Sequence, residues 1–351
     1  MRQILVSALL FFLLVGNIPA QSTPEDLPDS VLLTGLTLYW QDRNRCSAAA
    51  LSIQLSYWRD DIHYEDTLAR LNPNSGDVSV RFDEMIAYAE TFGLRGVARM
   101  GGTTDILKRL VVGGFPVLVE NGYYDGEAIA RNWTSHNRVV VGYDDTAGVL
   151  YVLDSVLGGG EDDLGRAFEY AEFEAVWRQM NHNYLVLYEP EDESQIQAIL
   201  GQQWDTTFNA EWTLARAQAN LYTANPDAFD NFNMGTALVA LGEYERALQA
   251  FGVAERMGLP WRMLWYQFGP FEAYLQTGNY AEVRRRTQEV LTGNSQVEEM
   301  YYYLACAYVA EGNQEQARIN LEAAIWRNPY YTAASDLLAQ VQQGKTAGTT
   351  P

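Results

Sequence analysis

Residues 135–158 read SHNRVVVGYDDTAGVLYVLDSVLG, and the fold turns on them. The runs 137–143 (NRVVVGY) and 149–153 (VLYVL) carry the β-branched and aromatic residues that favour strands. Asp144-Asp145-Thr146-Ala147-Gly148 between them is turn chemistry, so the two runs predict an antiparallel hairpin. His136 precedes the first strand and Asp154 ends the second, eighteen residues later. Such a hairpin brings the carboxylate back beside the imidazole.

Working outward, residues 115–120 (FPVLVE) and 184–188 (YLVLY) also read as strands. Residues 47–59 (SAAALSIQLSYWR) and 82–92 space their apolar residues as helices do. Helices first and strands later predict an α+β domain over 28–190. Beyond Pro190 the strand signal stops, and the chain reads as helical to about Gln343. Residues 191–226 are expected to be a helical linker, with a helix over 211–223.

A fixed period then appears. Gly-x-Tyr-x-x-Ala at Gly242, Tyr244 and Ala247 returns as Gly278, Tyr280 and Val283, then as Gly312, Gln314 and Ala317, at a nearly constant interval. The tetratricopeptide period is about 34 residues, and both intervals fall close to it. Twelve residues before the last position of each motif stand Gly235, Phe271 and Ala305, where a small residue permits close helix packing; Phe271 is the misfit. Residues 227–342 therefore resemble an all-α tetratricopeptide-repeat solenoid of three repeats, with 333–342 as a capping helix and 343–351 as a disordered tail.

Residues 1–20 (MRQILVSALLFFLLVGNIPA) carry one basic residue, an apolar run from Ile4 to Val15 and a small-residue end at Ala20, the pattern of a secretory signal peptide. A spanning helix needs about 20 apolar residues, and this run falls well short, so a soluble exported protein is expected, with no membrane span after signal removal. The net charge of −21 disfavours nucleic acid and anionic surfaces as partners. Two cysteines exclude a disulfide framework, and three histidines without a Cys/His cluster leave no structural-zinc spacing. No cofactor or metal is implied. Asn132-Trp133-Thr134 matches a glycosylation acceptor, a pattern common by chance.

Cys306, within YYYLACAYVAEG, reads as a small hydrophobe inside a helix. Cys46 differs, because a helix begins directly after it. The positive end of the helix dipole favours a thiolate there. His136 is the candidate base, Asp154 the carboxylate that orients it, and Gln41 a side-chain donor to an oxyanion beside the Cys46 backbone N–H. His63, in RDDIHYED, and His182, in MNHNY, read as a solvated residue and a loop residue.

The stretches 41–58, 93–120, 135–145, 149–158 and 173–190 together resemble the papain-like cysteine peptidases of the bacteriocin-processing, or double-glycine leader, family (peptidase C39-like), in its stand-alone exported form. The resemblance covers nearly the whole of 28–190. It implies a papain-like fold for this region, Cys46 as nucleophile, His136 as base, Asp154 as orienting acid and Gln41 as oxyanion donor. It further implies a peptide or protein substrate, with a protein partner for the repeats. The family places Gly-Pro directly after the nucleophile, and this chain has Ser47-Ala48, whose Cβ would narrow the cleft or alter the oxyanion geometry. A second reading is therefore a catalytically impaired, peptide-binding scaffold. A third is an acyl transferase of transglutaminase type with the same Cys/His/Asp chemistry.

Overall fold

The computed structural model describes residues 27–124, 133–223 and 225–344. The expected signal peptide, Asn132 and the tail from residue 345 lie outside these residues.

The expected hairpin is present and sits inside a seven-stranded antiparallel sheet. β1 (Ser30–Leu32), β2 (Arg95–Arg99), β3 (Val117–Tyr124), β4 (Trp133–Asp144), β5 (Val149–Asp154), β6 (Arg166–Glu169) and β7 (Tyr184–Tyr188) are arranged as β2-β7-β3-β4-β5-β6, with β1 added to β4. The runs of Val and Leu have a simple cause: the central strands are covered on both faces, so neither set of alternate residues needs to be polar. Leu118, Val139, Val141 and Leu153 pack beneath α1 (Cys46–Leu55) and α3 (Phe82–Glu90). Val117, Val119, Val140 and Val152 face α4 (Thr104–Val112) and α5 (Tyr170–Trp177). α2 (Tyr64–Leu71) lies between α1 and α3 in the chain. This is an α+β domain with the sheet between two helical layers.

Helix α1 is buried along its length from Ser47 to Leu55, its apolar residues in the core and its Gln54 amide donating to the Pro116 and Leu185 carbonyls at 2.9 and 3.1 Å. Its start is anchored from outside. The Arg45 guanidinium donates to the carbonyls of Asp77 at 2.7 Å and Ser75 at 2.5 Å.

The remainder is helical: α6 (Glu193–Leu200), α7 (Thr206–Asn220), α8 (Ala228–Ala240), α9 (Tyr244–Arg256), α10 (Gly269–Gln276), α11 (Tyr280–Gly293), α12 (Glu298–Ala310), α13 (Gln314–Arg327) and α14 (Thr332–Gln342). Gly242, Gly278 and Gly312 all adopt positive φ, at 73°, 73° and 77°, where L side chains are strained. Each turns one helix into the next, and this explains their periodic return. Gly235 lets α9 approach, since an added Cβ would lie 2.4 Å from the Phe251 ring. Phe271 is fully buried at the matching place. There it stacks on Tyr303 of α12, centroids 5.4 Å apart, so at the middle repeat an aromatic ring packs against α12 where the neighbouring repeats have a small residue.

The helical region is packed against the sheet domain. Trp133 of β4 shares a core with Phe229 and Phe232 of α8, and Arg178 binds Asp227 and Asp230 at 2.7 and 2.5 Å. Farther along, Asn328 donates to Glu84 at 2.7 Å and Arg81 pairs with Glu299 at 3.0 Å.

Candidate active site

Cys46 is the first residue of α1. Arg45 makes no side-chain cap there, and the first turn holds no acid. The positive end of the helix dipole at Cys46 is therefore not offset by a carboxylate of the first turn.

His136 and Asp154 are brought together by the strand register. Arg138 on β4 stands opposite Asp154 on β5, and His136, two residues earlier, is its diagonal neighbour on the same face. The imidazole Nε2 lies 3.0 Å from Asp154 Oδ1. Arg138 Nε donates to Oδ2 at 2.7 Å. The backbone N–H groups of Val156 and Leu157 donate to Oδ1 at 2.8 and 3.0 Å. Burial alone would raise the Asp154 carboxyl, but the bond to His136 and the charges of His136 and Arg138 hold it well below the usual carboxylate range.

With Nε2 engaged by Asp154, Nδ1 is the imidazole atom left for the thiol. Burial pushes the Cys46 thiol up, but hydrogen bonding and charge from His136, helped by Asn137, outweigh it and leave the thiol below its ordinary value. Burial likewise depresses His136, while Asp154 and Cys46 overcome this and raise it. The opposite shifts favour a thiolate–imidazolium pair. Cys306 shows the contrast: burial in α12 pushes its thiol up to about 12.

Gln41 is held at Ser155, the residue after Asp154, and is not among the residues lining the cavity at Cys46. Its backbone N–H donates to the Ser155 carbonyl at 3.1 Å, and the Ser155 hydroxyl donates to its Oε1 at 2.8 Å. The amide oxygen is thereby engaged, and Nε2 is the atom free to donate.

Several residues on this surface carried no sequence signal as functional. Asn137 Nδ2 lies 3.0 Å from Ser47 Oγ and 3.7 Å from Cys46 Sγ. Arg138 holds Asp154. Glu120, registered opposite Asn137 across β3 and β4, accepts a 2.5 Å bond from the Ser135 hydroxyl. Its only sequence trace is an acid in the otherwise apolar strand FPVLVE. Glu120, Ser135 and Asn137 line a 220 Å³ cavity with Cys46, and its outer wall, Tyr266, Gln267 and Phe268, comes from the helical region.

The other two histidines divide. His63 is exposed ahead of α2. His182 is in a loop, as expected, but is only 3% exposed. It bonds Glu174 at 2.7 Å and meets the Trp177 ring edge-on, so it is not a solvated residue. Among the described residues no group of His, Cys, Asp and Glu is placed to hold a metal ion, and no helix is long and apolar enough to cross a membrane.

Residues 33–185 match the model of the Peptidase_C39 like family. The match supports a papain-like cysteine-peptidase domain in this part of the chain, followed by a helical C-terminal region. A search of the curated proteins finds no match.

Proposed function

We propose that the chain is an exported thiol hydrolase that cuts peptide or amide bonds, with Cys46 as nucleophile, His136 as base and then acid, Asp154 as the group that orients His136, and Gln41 as oxyanion donor. The observation that carries this reading is the 3.0 Å contact of His136 with Asp154; hydrogen bonding and charge from that same imidazole hold the Cys46 thiol below its ordinary value. The Cys46 thiolate attacks the carbonyl carbon, and the π pair moves onto oxygen as a C–S bond forms. The oxyanion is met by Gln41 Nε2 and the N–H groups at the start of α1. Collapse breaks the C–N bond, and the leaving nitrogen takes the proton held by His136. Water then attacks the thioester, gives its proton to His136, and releases a carboxylic acid with the thiolate restored. Asp154 keeps the ring oriented throughout.

The helical region is read as three tetratricopeptide repeats with α14 as cap, supported by the repeated left-handed glycines, and as a surface for a protein partner. Iodoacetamide should label Cys46 selectively over Cys306, and Cys46→Ala should abolish hydrolysis of a casein substrate. A Cys46→Ala protein of undiminished activity removes the reading.

One observation favours the peptide-binding scaffold as a second reading. Ser47 is buried and its hydroxyl takes the Asn137 amide at 3.0 Å, so the position after the thiol is filled. Under that reading Cys46→Ala binds peptide as well as the native chain does, and neither protein cleaves it.

A further inference from the structure

We infer that the cavity beside Cys46 is a recognition pocket for a cationic substrate side chain, an ammonium or guanidinium received by Glu120 with Asn137 and Asn183 as further acceptors. The inference rests on reading Cys46 as the nucleophile of a peptide-cleaving site, and it adds the class of residue that site selects.

The cavity is rich in acceptors whose own donors are already engaged. Asn137 directs Nδ2 to Ser47 and Cys46, and its Oδ1 is buried with no partner among the described residues. Asn183 bonds Glu120 through its side chain, and its Oδ1 is likewise unpartnered among the described residues. The Ser135 hydroxyl is directed at Glu120. A buried acceptor without a donor is costly, and a protonated amine or guanidinium supplies the donors that Asn137 Oδ1 and Asn183 Oδ1 lack.

Charge points the same way. Among the described residues, Glu120 is the one carboxyl in the lining; burial pushes it up to about 7 against the bonds from Ser135 and Asn183, so it carries its charge at pH 8.5. Arg81, the one cation there, is turned away to Asp83 and Glu299, both at 3.0 Å, and over the Tyr331 ring. The same cavity is lined by Val78, Val80, Phe82 and Phe268, apolar surface that suits the methylene stem of a long basic side chain. The volume of 220 Å³ admits a single extended side chain.

Two measurements test this. Peptides with Lys, norleucine or Glu placed in turn on either side of the scissile bond should show Lys favoured at one position by about tenfold or more in kcat/KM, and Glu120→Gln should remove the preference. The second measurement needs no turnover. Cys46 is modified at pH 8.5 with the ethylammonium and ethylsulfonate methanethiosulfonates, and the ratio of the two rates is compared between the native chain and Glu120→Gln. The ratio cancels any change in thiolate fraction. It should favour the cation and fall by about tenfold or more in the variant, as expected for loss of one charge from the cavity the thiol lines, with Glu120→Asp intermediate. A ratio unchanged in Glu120→Gln overturns the pocket, whatever the peptides do. A ratio that falls while no peptide is cut upholds the pocket and removes the peptidase reading beneath it.

Discussion

Arg138 faces Asp154 directly across the β4–β5 ladder and holds one oxygen of its carboxylate at 2.7 Å, while the other oxygen receives His136. The carboxylate is fully buried and cannot rotate without breaking one of these bonds. The ring of His136 is thereby held in one plane and its second nitrogen directed at Cys46. In the proposed mechanism Arg138 is a positioning residue, one step removed from the reacting atoms.

Replacing Asp154 by Asn should raise the apparent pKa of Cys46, because His136 loses the anion that keeps it protonated beside the thiolate. In the native chain the thiol is lowered and the imidazole raised, so the reactive ion pair exists between the two values and is lost on either side of them. The window narrows from both ends in the variant. Iodoacetamide labelling across pH 5–9 reads this shift, and hydrolysis at pH 7 should fall roughly a hundredfold or more. A fall of about 3 kcal/mol in stability is also expected, since Arg138 is left buried without its anion. An unshifted labelling profile in a folded variant counts against the assignment.

Two glycines of the helical region should respond to alanine with opposite signs. At Gly235 an added Cβ would meet the Phe251 ring at 2.4 Å, so Gly235→Ala should destabilise by about 1–3 kcal/mol through overpacking. At Gly252, within α9, the nearest atom is the end of Arg256 at 3.4 Å. Gly252→Ala should therefore stabilise by up to about 1 kcal/mol through helix propensity. Urea unfolding of both variants checks the pair, and equal effects would show that α8 and α9 do not approach as described.

The hairpin was readable in the sequence because its signals are local: Val- and Tyr-rich runs, a turn between them, and an eighteen-residue separation that a two-strand ladder closes. The period of Gly242, Gly278 and Gly312 was readable because each turn needs the same left-handed backbone. β2 was not, since RGVAR has two arginines and one glycine and becomes a strand by pairing with β7. The register shift between Val140 and Gly142 was hidden for a similar reason. Gly142 admits β1, whose Val31 carbonyl lies 2.5 Å from where a Cβ would stand. His182 sat in a polar loop by sequence, and only contacts with α5 and with Arg216 of α7 bury it. Glu120, Arg138 and the wall from residue 266 to 268 gain their roles from chain segments far away in sequence.

Tyr266 offers a check on whether the helical region closes the cavity. Its hydroxyl meets Thr134 Oγ1 at 2.8 Å, and its ring packs edge-on to Trp133. Tyr266→Ala should open the outer wall. Labelling of Cys46 by a bulky maleimide should then speed up several-fold, while labelling by iodoacetamide changes little. Equal acceleration of both reagents would indicate loosening of α1 itself.

The junction between the two regions should weaken as pH rises. Glu298 and Glu299 at the start of α12 face Asp77, Glu84 and Arg81 from the sheet domain, with Asn328 bonded to both Glu84 and Glu298. Burial, then the charges of Asp77 and Glu84, push Glu298 up to about 9 against the Asn328 bond. Asp77 and Glu299 are raised in the same way, by burial first and by neighbouring carboxylates second. Carboxyls raised in the folded state hold protons that the unfolded chain, with ordinary values near 4, has already released. Their contribution is fully present below the unfolded value and is lost as pH rises through the folded one, at a slope on the order of 1 kcal/mol per pH unit for each group. The melting temperature should therefore fall between pH 5 and pH 9. Glu298→Gln, which cannot ionise and keeps an acceptor for Asn328, should flatten that fall and raise the melting temperature at pH 8. A melting temperature that climbs from pH 5 to pH 8 in the native chain would mean that these carboxylates are ionised and solvated, and that the helical region does not sit on the sheet domain at this junction.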